Sequence, residues 1–208
     1  VKKRFAHLPA KRRVKKNQIK ERQAKPATLV KFKKSDQSHL VLGVRAFNIF
    51  DRRRYALQVL ADILGGGMSS RLFQRIREEL GAAYYIHAGA DLSLDHGYLE
   101  ISSGVDHRKV ELVVRTILEE LRRAKRERVA REELQKSKDH LTGNLLLSLE
   151  SSDELAGFYG MQEVLTRSLV APKELVARIQ RVTAAEIQSV ARDVLANAKL
   201  NLAVIGPY

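Results

Sequence analysis

Cysteine is absent, so this chain of 208 residues has no disulfide framework and no thiolate metal site. No apolar run approaches the ~18 residues that a membrane-spanning helix needs, so a soluble chain is expected. No apolar segment follows the basic first residues, which excludes a visible signal peptide. The first residue is Val, and the only methionines are Met68 and Met161. A fragment or processed product is therefore expected, with any targeting signal lying outside it. None of the six histidines sits in H-x-x-E-H, the spacing that puts two zinc ligands and a catalytic Glu on one helix face. His96 and Glu100 could share a strand face, but a zinc site needs three or four ligands, and a turn histidine is the simpler reading. Gly65-Gly66-Gly67-Met68-Ser69-Ser70 lacks the Lys-Ser/Thr pair of a phosphate loop. Ser69 is outside G-x-S-x-G, because Arg71 replaces the second glycine.

Acid is scarce at the start. Residues 1–34 hold 14 Lys and Arg and a single acid, Glu21, whereas bases and acids nearly balance over the rest. The net charge of +14 is thus a property of the tail. Such a tail can bind nucleic acid or an anionic membrane. The reading preferred here is a solvated linker over residues 1–27, since Phe5 is the one aromatic before Phe32 and base stacking needs more.

What is present is a chain of which 44% is hydrophobic, enough to build a core. The spacing predicts strands over 28–34 and 39–47, then a helix over 52–64 that Asp51 can cap. Next comes Ser69 to Tyr85. Leu72, Phe73, Ile76 and Leu80 recur at helical spacing, so 70–80 reads as an amphipathic helix, with Ser69 or Ser70 as its cap and Gly81 as its stop. The following Ala-Ala-Tyr-Tyr-Ile suits a strand. Two strands, 84–94 and 98–105, flank the hairpin signal Asp95-His96-Gly97. Helices follow over 107–126, 129–150, 151–167, 172–181 and 183–197. Ser151/Glu154 and Thr183/Glu186 read as capping boxes, and Pro172 as a first-turn proline. A last strand covers 200–205. The order ββααββαααααβ predicts an α+β fold: residues 28–208 as one half-domain, with a largely antiparallel or mixed sheet and helices on one face.

Arg77 leaves the last turn of the 70–80 helix, and Tyr84 opens the next strand seven residues later. A tight turn can bring this cation and this hydroxyl together. Spacing alone leaves the alternative of two solvated side chains open.

The segment LGGGMSSRLFQRIREELGAAYYI (Leu64–Ile86) resembles the C-terminal half of the pitrilysin/insulinase family of zinc metallopeptidases, in the branch that includes the mitochondrial processing peptidase. VTAAEIQSVARDVL (Val182–Leu195) and LNLAVIGP (Leu200–Pro207) resemble the end of the same domain. The resemblance covers about Thr28 to the C-terminus, although the longer glycine-rich loop of the mitochondrial noncatalytic subunit is here only three glycines. It implies two homologous halves around a chamber, zinc on the first half, and an Arg and a Tyr supplied by the second. The matching pair is Arg77 and Tyr84. It further implies no zinc or other cofactor in this chain, no peptide cleavage by it alone, and two partners. These are a zinc-bearing half, in the same polypeptide or another subunit, and a peptide substrate. An isolated half would expose apolar surface and could self-associate. Two alternatives stay open: a catalytically inactive assembly or peptide-binding module of the same fold, and nucleic-acid binding by the basic tail.

Overall fold

The computed structural model describes residue 6 and residues 22–208. Most of the expected basic linker, 1–27, therefore lies outside the described residues. In chain order the elements are β1 (Ala27–Phe32), β2 (Ser38–Ala46), α1 (Arg54–Gly65), α2 (Phe73–Glu79), β3 (Ala83–Leu92), β4 (Gly97–Val105), α3 (Val110–Arg126), α4 (Arg131–Leu147), α5 (Ser152–Thr166), α6 (Pro172–Gln180), α7 (Ala184–Val194) and β5 (Leu200–Gly206).

Alternation builds the sheet. In β2, Leu40, Leu42 and Val44 are buried while His39, Val41 and Arg45 point outward. β4 repeats the pattern with Leu99, Ile101, Ser103 and Val105, and β3 with Ile86 and Ala88. A period of two with one covered face marks a sheet packed on one side only. The five strands lie in the order β1-β5-β2-β4-β3. β1 runs parallel to β5, and the other pairs are antiparallel, so the sheet is mixed. β1 and β3 are its edges. The opposite face, carrying His39, Val41, Arg45, His87 and Tyr98, is exposed.

The helices cover the buried face. Leu57, Leu60 and Leu64 of α1, Ile117 of α3 and Ile187 of α7 join Leu40, Leu42, Leu99 and Ile101 in one core. Each such side chain removed from water contributes about 1.5–3 kcal/mol. α1 closes with Gly65, where nothing larger fits: a Cβ there would stand 2.5 Å from the Ala88 nitrogen on β3. That glycine serves packing.

Both capping boxes form, at Ser151/Glu154 and Thr183/Glu186, and Pro172 sits in the first turn of α6. The stretch 70–80 departs from expectation in three ways. The chain makes only one α-helical turn before α2 winds as a π-helix. Ser70 does not cap it: its hydroxyl donates to the Gly67 carbonyl at 2.6 Å, closing the preceding turn instead. Leu80, expected to face inward, is exposed, because the helix has already ended at Glu79 and the chain swings away into the Gly81 turn.

The junction of α2 and β3 as a candidate functional site

The junction is built from two backbone irregularities around one glycine. α2 is anchored by Leu72 and Ile76, both fully buried. Its wide winding is visible where the Leu80 N–H donates to the Arg75 carbonyl at 3.2 Å, five residues back. The Ala82 N–H then donates to the Ile76 carbonyl at 2.9 Å. Between them Gly81 takes φ +52°, a left-handed conformation that a Cβ would strain. Beyond the turn, Ala83 pairs with Val105 and Tyr85 with Gly104, so Tyr84 is the extra residue of a β-bulge. A bulge re-aims the side chain it carries, and both bulges and π-turns recur beside functional sites.

Charge pairs fix α2 from behind. The Arg71 guanidinium donates to both oxygens of Glu133 on α4, each at 2.6 Å. Arg75 donates to Glu120 and Glu119 on α3, each at 2.7 Å. Glu120 is only 2% exposed, and its hydrogen bond is the main reason the Arg75 pKa is raised. These two arginines, one just before α2 and one within it, tie its start to α4 and α3.

Arg77 points the other way. It is exposed, and its guanidinium carbon stands 5.0 Å from the centre of the Phe73 ring one turn earlier. That cation–π contact limits the rotamers of the side chain without neutralising it. Tyr84 is 60% exposed. Among the described residues no hydrogen bond occupies either polar end, and none joins the two. The structure thus brings Arg77 and Tyr84 to the same junction, on its solvent side, without direct contact between them. A cation and a phenol so placed can engage a carbonyl or an anion entering from solvent.

Two neighbouring features escape any reading of spacing. The Tyr85 hydroxyl lies 3.1 Å from His39 Nδ1 on the open sheet face, a pair separated by 46 residues in sequence. Ser38 Oγ lies 2.8 Å from His107 Nδ1, a Ser–His pair. The latter is structural: Ser38 is completely buried, and His107 Nε2 donates to the Ser35 carbonyl at 2.9 Å, so the pair ties the start of β2 to the end of β4. Among the described residues, no group of three or more His, Asp or Glu is arranged to hold a metal ion. No described helix is long and apolar enough to cross a membrane.

A mixed sheet covered on one face by seven helices among the described residues defines an α+β fold. The sequence of residues 1–141 matches the peptidase M16 inactive domain, and the chain belongs to that family. It is 34% identical over 179 residues to an uncharacterised zinc protease of Bacillus subtilis, covering 86% of this chain and 44% of that protein. It is 34% identical over 175 residues to an uncharacterised zinc protease of Streptomyces coelicolor, covering 84% and 38%. The chain therefore spans less than half the length of these relatives. Among solved structures, a protease from Helicobacter pylori matches 99% of this chain and 50% of its own, with a TM-score of 0.87 at 20% identity. A peptidase M16 inactive domain from Pseudomonas fluorescens matches 94% and 46%, with a TM-score of 0.81 at 21% identity. At these identities the structural likeness shows the fold.

Proposed function

We propose that residues 28–208 form the zinc-free half of a two-half zinc metallopeptidase, joined by residues 1–27 to a zinc-bearing half or paired with one on a separate subunit. In this reading the half lines a peptide-binding chamber. Arg77 holds peptide carbonyls or an adjacent carboxylate through its forked donors. Tyr84 donates its phenolic hydrogen to the oxyanion that develops at the attacked carbonyl. Zinc, held by the other half, would supply Lewis-acid activation of water, and this chain supplies orientation and charge stabilisation.

The observation that carries the proposal is the pairing of a π-turn with a bulge around Gly81, which leaves Arg77 and Tyr84 exposed with unoccupied polar ends. The Bacillus and Streptomyces relatives, uncharacterised zinc proteases, are more than twice the matched length, which supports a second half. The test is a quenched-fluorescent peptide assay on the chain alone and on the chain assembled with its zinc-bearing half. Cleavage is expected only in the assembly, and Arg77→Ala is expected to raise KM more than it lowers kcat. Cleavage by the zinc-loaded chain alone would overturn the proposal.

A second reading keeps the fold and drops the chemistry: an inactive assembly module. The exposed Met161 and Val164 of α5, a helix with no buried residue, favour it. The same fold occurs at 12% identity and a TM-score of 0.76 in a chain of Complex III2 from Candida albicans. Under this reading Arg77→Ala leaves the assembly's activity unchanged.

A further inference from the structure

Away from the α2–β3 junction, a cavity of about 470 Å³ opens between α1, α4, α5 and α6. Its volume falls within the range of small-molecule sites. Its walls are largely apolar, with Phe50, Leu92, Leu141, Leu145 and Phe158 among them. α5 forms one side of it without burying a single residue of its own. That side is therefore not closed by packing.

One spot in this apolar lining is cationic. Arg54 donates to the Tyr55 hydroxyl at 2.8 Å, and Arg178 donates to the same oxygen at 3.0 Å. The two guanidinium carbons lie 4.8 and 5.9 Å from the centre of the Tyr55 ring. A phenolic oxygen accepting two such bonds has its lone pairs engaged and is left with its O–H to donate. Arg178 is partly neutralised by an ion pair with Glu174. Arg54 has no carboxylate partner among the described residues. The cluster thus presents a net positive charge and a free donor to the cavity. Two guanidiniums converging on one point select an anion, and a carboxylate accepts their bonds in pairs.

The rest of the lining bears on what that carboxylate is attached to. A peptide would bring N–H and C=O groups that need partners once buried. Gln162 spends both ends of its amide on the Val170 backbone, at 3.1 and 2.7 Å. Thr166 spends its hydroxyl on the Gln162 and Ser168 carbonyls. These side chains stitch α5 to the turn before α6, so Gln58 and Ser168 are the uncharged polar side chains of the lining that remain unengaged among the described residues. An aliphatic chain asks for neither of them.

We infer that this cavity binds an aliphatic carboxylate, a medium-chain fatty acid, with its head on Arg54, Tyr55 and Arg178 and its chain among the leucines and phenylalanines beside α5. The inference does not depend on the peptidase reading. The chain has no Trp, so Phe158→Trp places a single reporter on the cavity wall. The experiment titrates this variant of the full chain with dodecanoate, with dodecanol, and with an apolar tetrapeptide carrying a free C-terminal carboxylate, following fluorescence. Saturable binding of dodecanoate is expected, at least tenfold tighter than dodecanol and tetrapeptide. Adding Arg54→Gln, or separately Tyr55→Phe, is expected to weaken it by about tenfold or more, the loss of one charge-assisted bond. Circular dichroism confirms folding of each, and Tyr55→Phe keeps the ring should Arg54→Gln unfold. Equal binding of dodecanol, tighter binding of the tetrapeptide, no saturation, or no effect of folded variants would each overturn the inference.

Discussion

α5 and α7 begin with the same device and end in different surroundings. At α5 the Ser151 hydroxyl accepts from the Glu154 N–H at 3.3 Å, and Glu154 accepts from the Ser151 N–H at 3.1 Å. At α7 the Thr183 hydroxyl accepts from the Glu186 N–H at 3.2 Å, and Glu186 accepts from the Thr183 N–H at 2.8 Å. Yet α7 buries Ile187, Gln188, Val190, Ala191 and Val194, whereas α5 buries nothing. A cap satisfies orphan backbone donors and so sets where a helix starts. Whether the helix is held depends on the face it offers. In α7 the apolar residues 187, 190, 191 and 194 form one stripe against α1 and α3. In α5, Phe158 and Gln162 face the cavity while Met161 and Val164 face solvent. Apolar character on both sides is what a helix needs when it stands between a cavity and a further surface.

Mutation should separate the two helices. Ile187→Ala should cost about 2–5 kcal/mol, the usual range for a large-to-small change in a core. Val164→Ala, at a side chain that is 78% exposed, should stay within about 0.5 kcal/mol. Urea unfolding of both variants reads the difference, and equal losses would mean that α5 is packed after all. A smaller effect separates the caps. Thr183→Ala should lower global stability by about 1 kcal/mol. Ser151→Ala should instead raise hydrogen exchange within α5 while leaving the unfolding midpoint nearly in place, because local opening of an unburied helix does not require the whole domain to open.

Acid gives the smallest and most selective contrast. Arg53 donates to Asp51 and reaches Asp193 on α7 at 2.9 Å, and its side-chain hydrogen bond lowers the Asp51 pKa. A lowered carboxylate pKa contributes stability that is present above the unfolded value of about 4 and is lost as pH falls through the folded one. Denaturation midpoints should therefore drop as pH falls below ~4, and Arg53→Ala should flatten part of that drop. Glu154 is lowered by the Ser151 hydroxyl, so acid also loosens the α5 cap, with amide exchange rather than the midpoint as its readout.

Much of this architecture was legible because its signals are local. The capping boxes, the first-turn Pro172, the Asp95-His96-Gly97 hairpin and the Gly81 stop each need only a few adjacent residues, and all formed. That strands lie at β2 and β4 was equally plain, whereas β2, expected to be mostly buried, exposes its alternate residues His39 and Val41. What spacing could not show depends on partners far along the chain. Leu72 and Ile76, four apart, are compatible with α or π winding, and the choice accompanies Arg71 and Arg75 reaching Glu133 and Glu120. The bulge at Tyr84 leaves no mark in a run of small and aromatic residues. The parallel pairing of β1 with β5 joins the two ends of the described chain. Arg178 meets Tyr55 across 123 residues. Spacing said that a turn could bring Arg77 and Tyr84 together, and the resemblance of their segment implied a role for them.

In the function we propose, Tyr84 contributes its hydroxyl to the chemistry of a zinc-bearing half. The measurement that decides this is kcat of the assembled two-half enzyme with Tyr84→Phe, an exposed change that removes one oxygen and leaves the ring. Removal of one oxyanion donor predicts a fall of about 10²–10³-fold in kcat with assembly intact. An assembled Tyr84→Phe enzyme that cleaves peptide at the unmodified rate would rule out the oxyanion role of Tyr84.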